Sequence, residues 1–492
     1  MTTPDHLLAI DQGTSSTRAI VFDRAGVVVA AAQRPLAQHY PQDGWVEHDP
    51  EEIWMATIAV CREAAAGIPL DRLAAVGITN QRETCLLWDR ATGQPIHNAI
   101  VWQDRRGATM CHALEAAGKA DVIRTTTGLR LDSYFSATKL AWLLDHVPGA
   151  RARANAGDLA FGTIDTFLLW RLTSGEHHCT DATNAARTML FDIHTQAWSD
   201  DLCTVFNVPS AILPTVRDCA ADFGTMDRSI LGVTLPIRGI AGDQHAALIG
   251  QGCAQPGMAK ATYGTGCFVL TNDGPTAAPT TPALLTTLAY RVDGRAIYAT
   301  EGSAFNAGTA VEWLRDTLDV VQTSAETGSL ARSLDDNGGV YFVPAFTGLG
   351  APYWEPQARG ILTGLSRDTG PAHLARAALE AAAYQTQDLL SAGAQPPTVL
   401  RIDGGMANND WFAQFLADVL GIPVERPADM EATARGAAIL AGLQSGLYAS
   451  LGDVAATWQA AQTFTPTIGD EQRQQLLEGW RRAVAQVRAG YG

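Results

Sequence analysis

A strand that runs into a Gly-Thr turn and out into a second strand occurs twice in this chain, roughly half its length apart. The first copy flanks Gly13-Thr14, with the apolar run 7–10 before it and strand-like residues 17–22 after it. The second flanks Gly264-Thr265-Gly266, between residues 258–263 and 267–271. The likeness is short, but a repeated supersecondary unit of this kind suggests α/β halves of related build, facing each other across a cleft. At 492 residues there is room for two such units, each with its own core. The Gly- and Pro-containing stretch at 250–257 marks the crossing, giving an expected division into 1–250 and 251–492.

Elsewhere the pattern alternates between strand and helix. Residues 27–32 complete a meander with the first strand pair, and 73–79 and 84–88 return to strand. Asp49-Pro50-Glu51-Glu52 supplies an N-cap, a proline at the first helical position and an acid at the third, and Gly67 closes that helix. Residues 214–232 read as irregular. In the second half, helices are expected at 310–319, 373–391, 411–420 and 432–443, and a buried strand at 400–402 leads into Asp403-Gly404-Gly405.

Two acidic loops set the chemistry. Asp11 follows the strand at 7–10, and Asp243 follows an apolar run at 236–241. Carboxylates just beyond the carboxyl ends of strands lie where open α/β sheets place their ligands. Asp243 has a plain reading as the N-cap of a helix at 244–249, and a cap can also be a base. Beside Asp11, the loop Gly13-Thr14-Ser15-Ser16-Thr17-Arg18 packs small residues, hydroxyls and an arginine where a phosphate chain could approach backbone amides. It matches neither a P-loop nor a dinucleotide fingerprint, and glycine turns of this kind also simply join strands. Asn80-Gln81-Arg82-Glu83-Thr84 ends another strand, with Trp102 and Tyr134-Phe135 downstream. Arg, Glu and Tyr beside an aromatic wall suit a small polyhydroxylated molecule, although such aromatics are commonly core residues. A base near an alcohol, with metal and donors bearing phosphate charge, is the equipment of phosphoryl transfer.

The net charge of −16 argues against a nucleic-acid-binding surface or an anionic-membrane anchor, since both depend on clustered Lys and Arg. No apolar stretch approaches the roughly 18 residues of a membrane span. The eight cysteines have no Cys-x-x-Cys spacing, which suits reduced thiols and a cytoplasmic protein. His177-His178-Cys179 looks metal-like but lies in a polar turn and reads as a solvated loop.

These segments resemble the carbohydrate-kinase family of the actin/sugar-kinase/Hsp70 fold. The likeness runs over nearly the whole chain: Asp11–Arg18, Gly44–Pro50, Gly77–Thr84, Asn98–Arg106, Ile240–Gln244, Thr262–Phe268, Val343–Trp354 and Asp403–Gly405. The runs Asn80-Gln-Arg-Glu-Thr84 and Trp102-Gln-Asp-Arg-Arg106 point to the branch that acts on glycerol. The resemblance implies two ribonuclease-H-like (actin-like ATPase) α/β domains, with ATP as co-substrate, Mg2+ as cofactor and sn-glycerol 3-phosphate as product. Arg82, Glu83, Trp102, Tyr134, Asp243, Gln244 and Phe268 would bind glycerol, with Asp243 as general base. Thr14, Ser15, Ser16 and Arg18 would meet the phosphates. Thr265, Gly308, Glu312, Gly405 and Asn409 would line the nucleotide pocket, and Asp11 with Asp243 would place the metal. An even-numbered homo-oligomer is also implied.

Three positions depart from the family pattern. Glu312 stands where Gln is usual, and an ionised carboxylate cannot donate a hydrogen bond. His245 replaces a Gln and Ser133 a Pro, and no glycine-rich sugar-bisphosphate site is visible near 228–238. Two other readings stay open: a kinase of another polyol or a ketose on the same fold, and a nucleotide-gated binding protein.

Overall fold

The computed structural model describes residues 4–490, and two sheets organise them. The first contains β1 (His6–Gln12), β2 (Ser16–Phe22), β3 (Val28–Pro35), β4 (Leu73–Asn80) and β5 (Leu235–Gly242), with Thr225–Met226 on its edge. The second contains β6 (Met258–Tyr263), β7 (Cys267–Gly274), β8 (Leu285–Val292), β9 (Arg295–Ala304), β10 (Val399–Asp403), β11 (Val424–Pro427) and β12 (Ala460–Phe464). In the first, β1, β2 and β3 form an antiparallel meander while β4 runs parallel to both β1 and β5. In the second, β6, β7 and β9 pair antiparallel, β10 runs parallel to β6, and β11 parallel to β10. The spatial orders β3-β2-β1-β4-β5 and β9-β7-β6-β10-β11 are therefore the same order used twice. The two Gly-Thr turns occupy the same place in both, joining the first strand to the second.

Sequence explains the central strands directly. All seven residues of β1 are buried, as its apolar run requires for a strand covered on both faces. β3, at the edge, alternates half-buried with exposed positions before Ala32. Helix α1 (Pro50–Ala65) begins as expected, with the Asp49 carboxylate accepting from the Glu51 amide at 2.8 Å. Its end differs: Ala66 caps it in right-handed geometry, its N–H bonded to the Glu63 carbonyl, so Gly67 makes no left-handed stop. Residues 84–88 do form a strand, Cys85–Asp89, but it leaves the first sheet for a four-stranded sheet with Glu47–His48, Ala99–Ile100 and Leu159–Thr163. The irregular stretch at 214–232 holds the short strand Thr215–Arg217 and the short helix Arg228–Leu231. His178 is no solvated loop residue. Its ring packs edge-on to Trp88 and Trp170 and its Nε2 lies 2.8 Å from the Phe161 carbonyl oxygen, while Cys179 opens a buried strand.

Six further helices matter for the site: α2 (Asp243–Gly250), α3 (Gly308–Asp316), α4 (Glu326–Arg332), α5 (Pro371–Ser391), α6 (Asp410–Leu420) and α7 (Ala432–Gln444). Although α7 lies between β11 and β12 of the second sheet in sequence, its Ala434, Ala437, Ala438 and Ala441 pack with Leu7, Ala9, Ile20, Phe22 and Ala75 beneath the first. Close approach is possible because glycines face it. A Cβ on Gly77 would sit 2.2 Å from the Ala437 carbonyl oxygen. Among the described residues, no helix is long and apolar enough to cross a membrane.

Candidate active site

Strand register gathers the acidic loops. Asp11 on β1 and Ala241 on β5 both align with Thr79 of β4, so Asp11 and Asp243 flank the segment Gln81-Arg82-Glu83 that leaves the end of β4. Two interstrand spacings put the backbones of Asp11 and Ala241 about 10 Å apart, with Asp243 two residues beyond Ala241. Asp243 is not the cap of its helix. Gly242 is, and Asp243 is the first helical residue, with Oδ1 accepting from the Gln244 amide at 2.6 Å. The Gly242 amide is itself held by the Thr183 hydroxyl at 3.0 Å, and Thr183 donates to the buried Asp181 carboxylate at 2.6 Å. The Asp243 side chain keeps 30% of its accessible surface and so remains reachable. Its surroundings, with Glu83 close by, push its pKa up to about 6 against the opposing pull of Arg82, desolvation being the largest cause.

Arg82 and Glu83 sit in a buried ionic cluster. Arg82 donates from Nη1 and Nη2 to the two oxygens of Glu301 at 2.7 and 3.0 Å, while its Nε lies 3.2 Å from Asp243 Oδ1. Glu83 adopts a left-handed backbone, φ 62°, which costs about 1–2 kcal/mol for a residue with a Cβ. Its carboxylate accepts from Arg187 Nε at 2.7 Å and its carbonyl from the Ser136 hydroxyl at 2.9 Å. Arg187 also donates from Nη2 to Glu301 at 3.0 Å. Sequence reasoning found Arg82 and Glu83 and missed Arg187 and Glu301. The one available signal was an acid in the interior of a strand, Thr300-Glu301-Gly302, where burial demands a partner.

The aromatic wall assembles from two turns and a strand. Trp102 meets Tyr134 edge-on at 5.6 Å and Phe268 at 6.4 Å between centroids, so β7 of the second sheet contributes to the same pocket. Trp102 Nε1 donates to the Thr14 hydroxyl at 3.0 Å, tying the first loop to the wall. Phe135, 1% exposed, is a core residue. The Gln244 amide oxygen accepts from the buried Lys260 ammonium, which also donates to the Thr262 hydroxyl at 3.0 Å.

A cavity of about 650 Å³ opens between the β6–β7 turn, α3, α4 and the turn Gly405–Asn408. Thr265, Gly308, Glu312, Gly405 and Asn409 all line it. Asn409 doubles as the cap of α6, its side-chain oxygen accepting from the Trp411 and Phe412 amides. Residues of the first loop are not in this lining. Arg18 pairs with Asp11 and, at 2.6 Å, with Glu431, and the Ser16 hydroxyl accepts from Gln33. Ser15 is exposed.

Residues 6–250 match the N-terminal domain of the FGGY family of carbohydrate kinases, and residues 259–445 match its C-terminal domain. The chain belongs to the FGGY family. This FGGY kinase is 58% identical to a glycerol kinase of Rhodospirillum centenum over 98% of each chain. It is 54% identical to glycerol kinase 1 of Pseudomonas aeruginosa over 98% of this chain and 99% of that one. Its fold superposes on the crystal structure of Plasmodium falciparum glycerol kinase with ADP at a TM-score of 0.93, with 35% identity and 98% of each chain covered. A gluconate kinase of Lactobacillus acidophilus, 22% identical with a TM-score of 0.89 and 99% of each chain covered, shares the fold.

A metal ion bound here would have few protein ligands. Among the described residues no group of three or more His, Cys, Asp or Glu could hold an ion. One or two carboxylates completed by water and phosphate oxygens is how Mg2+ is held in phosphoryl-transfer sites, and Asp11 with Asp243 fits that donor set. The Arg18 guanidinium on Asp11 limits it to a partial share of any ion.

Proposed function

We propose that this kinase transfers the terminal phosphoryl group of ATP to a terminal hydroxyl of glycerol, giving sn-glycerol 3-phosphate and ADP. One observation carries the reading: Asp243, at a helix start and still accessible, lies 3.2 Å from the Arg82 guanidinium beside the wall of Trp102, Tyr134 and Phe268. Arg82, Glu83, Tyr134 and Gln244 bind the hydroxyls, and the rings cover the carbons. Asp243 accepts the proton as the hydroxyl oxygen bonds to phosphorus, and the bond to the bridging oxygen of ADP breaks. Residues 1–250 carry the polyol site and the first phosphate loop, and 251–492 most of the nucleotide pocket. ATP lies in the 650 Å³ cavity, with Thr265, Gly308, Glu312, Gly405 and Asn409 around it. Thr14, Ser15, Ser16 and Arg18 face the phosphates as the halves close. Mg2+, held by Asp11 and Asp243, would neutralise charge on those phosphates. Closure excludes water, so that phosphate passes to the alcohol in preference to hydrolysis. The eight buried free cysteines suit a reducing compartment such as the cytoplasm.

The test has two arms. In a panel of glycerol, erythritol, dihydroxyacetone, xylulose and gluconate with ATP, glycerol gives the highest kcat/KM, and faster turnover of a larger sugar overturns the substrate. Asp243→Asn keeps glycerol binding within about tenfold and loses about 10²–10⁴-fold in kcat. An unimpaired variant removes Asp243 from the role of base.

A further inference from the structure

Glu301 is 1% exposed, lies inside β9 of the second sheet, and holds two arginines of the first half at once. We propose that Glu301 is a positioning residue that turns Arg82 toward the polyol and keeps its fork off the base, so that the polyol site is complete only when the two halves are docked. The inference rests on the glycerol-kinase reading above.

Geometry supplies the argument. The guanidinium of Arg82 lies between Glu301 on its fork and Asp243 on its Nε edge, with Glu83 Oε1 3.9 Å from the same Nε. Glu301 takes both Nη atoms, at 2.7 and 3.0 Å, in the bidentate arrangement that arginine forms most strongly. Asp243 is left facing only the Nε edge, at 3.2 Å. Without Glu301 the fork is free to rotate onto Asp243 and to occupy the oxygens that a substrate hydroxyl must reach. The same carboxylate accepts from Arg187 at 3.0 Å, and Arg187 fixes Glu83 at 2.7 Å. One acid thus sets two polyol-binding side chains, Arg82 directly and Glu83 through Arg187. Burial opposes its charge, but Arg187 and Arg82 hold it ionised, below the usual carboxylate range. Arg82, Glu83 and Arg187 fall in the 6–250 match and Glu301 in the 259–445 match, so the cluster bridges the halves.

Glu301→Gln keeps the shape and removes the charge. The expected result is a loss of about 10²-fold in kcat/KM for glycerol, the scale of a misplaced binding group, with KM for ATP within about threefold of wild type. Glu301→Asp keeps the charge on a shorter stem and restores part of the loss. This variant carries the test if the glutamine variant does not fold. A structural role alone would lower turnover for every alcohol equally, so propane-1,2-diol and propane-1,3-diol are assayed alongside glycerol. At least one diol, lacking a hydroxyl that Arg82 would bind, is expected to show a penalty at least threefold smaller. Equal penalties for all three alcohols, a matching rise in KM for ATP, or kcat/KM for glycerol within threefold of wild type each overturn the proposal. Should the wild-type enzyme prefer another polyol, the functional reading fails by itself, and the same comparison is then made with that polyol and its deoxy analogues.

Discussion

To act as the proposed base, Asp243 must be ionised, yet its surroundings favour the neutral acid. Burial raises its pKa to about 6 although Arg82 pulls it down. Below that value the base is protonated, so kcat/KM for the polyol should fall tenfold for each unit of pH lost and level off above it. The effect on stability has the opposite sign. A carboxyl whose folded pKa is raised stabilises the fold fully below its unfolded value, about 3.9, and loses that contribution as pH rises through about 6. Rate profiles from pH 4.5 to 8 read this directly, and a profile flat down to pH 5 would count against Asp243 as base. Asp243, Arg82 and Glu83 were legible in the sequence because each stands just past an apolar strand, a position that carries information by itself. Arg187 and Glu301 were not. Their meaning lies in pairings across 104 and 219 residues, which no local pattern encodes.

At the scale of elements, the helix Ser136–His146 begins without any side-chain cap, and its start is held from inside. Lys139, fully buried, donates to the carbonyls of Ser133, Tyr134 and Phe135 at 2.5, 2.6 and 3.2 Å. Burial brings its pKa down to about 8, so it remains largely charged at neutral pH. This ammonium fixes the backbone that presents Tyr134. Lys139→Met should leave those carbonyls unpartnered, cost about 1–3 kcal/mol and raise KM for glycerol more than KM for ATP. Thermal melts with paired KM measurements check it, and equal KM values in variant and wild type would show that Tyr134 is placed without the lysine. Strands and long helices were readable because apolar runs and caps are local. Partner choice was not, and so residues 84–88 were correctly read as a strand whose sheet could not be known. His178 was misread for a related reason, since only tertiary contacts bring Trp88 and Trp170 around a polar turn.

For the whole molecule, the repeated strand order was foreshadowed by the two Gly-Thr turns, but the crossing of α7 beneath the first sheet was not. That crossing seats α2, the helix that opens with Asp243. A Cβ on Gly436 of α7 would sit 1.8 Å from the Ala246 carbonyl oxygen of α2, and one on Gly250 of α2 would sit 1.9 Å from the Ala432 carbonyl oxygen of α7. Backbone faces backbone on both sides, so no side chain can move aside to make room. Since α2 begins at Asp243, displacing the seam displaces the proposed base. Gly436→Ala should therefore cost about 1–3 kcal/mol by overpacking and lower kcat/KM by about tenfold or more, with a lower melting temperature. Gly67→Ala is the control: nothing lies within 4 Å of its Cβ position, so its effect should stay within about 0.5 kcal/mol. If Gly436→Ala melts and turns over like the wild type, the α2–α7 seam is softer than its geometry implies, and the base must take its position from Thr183 and the end of β5 instead.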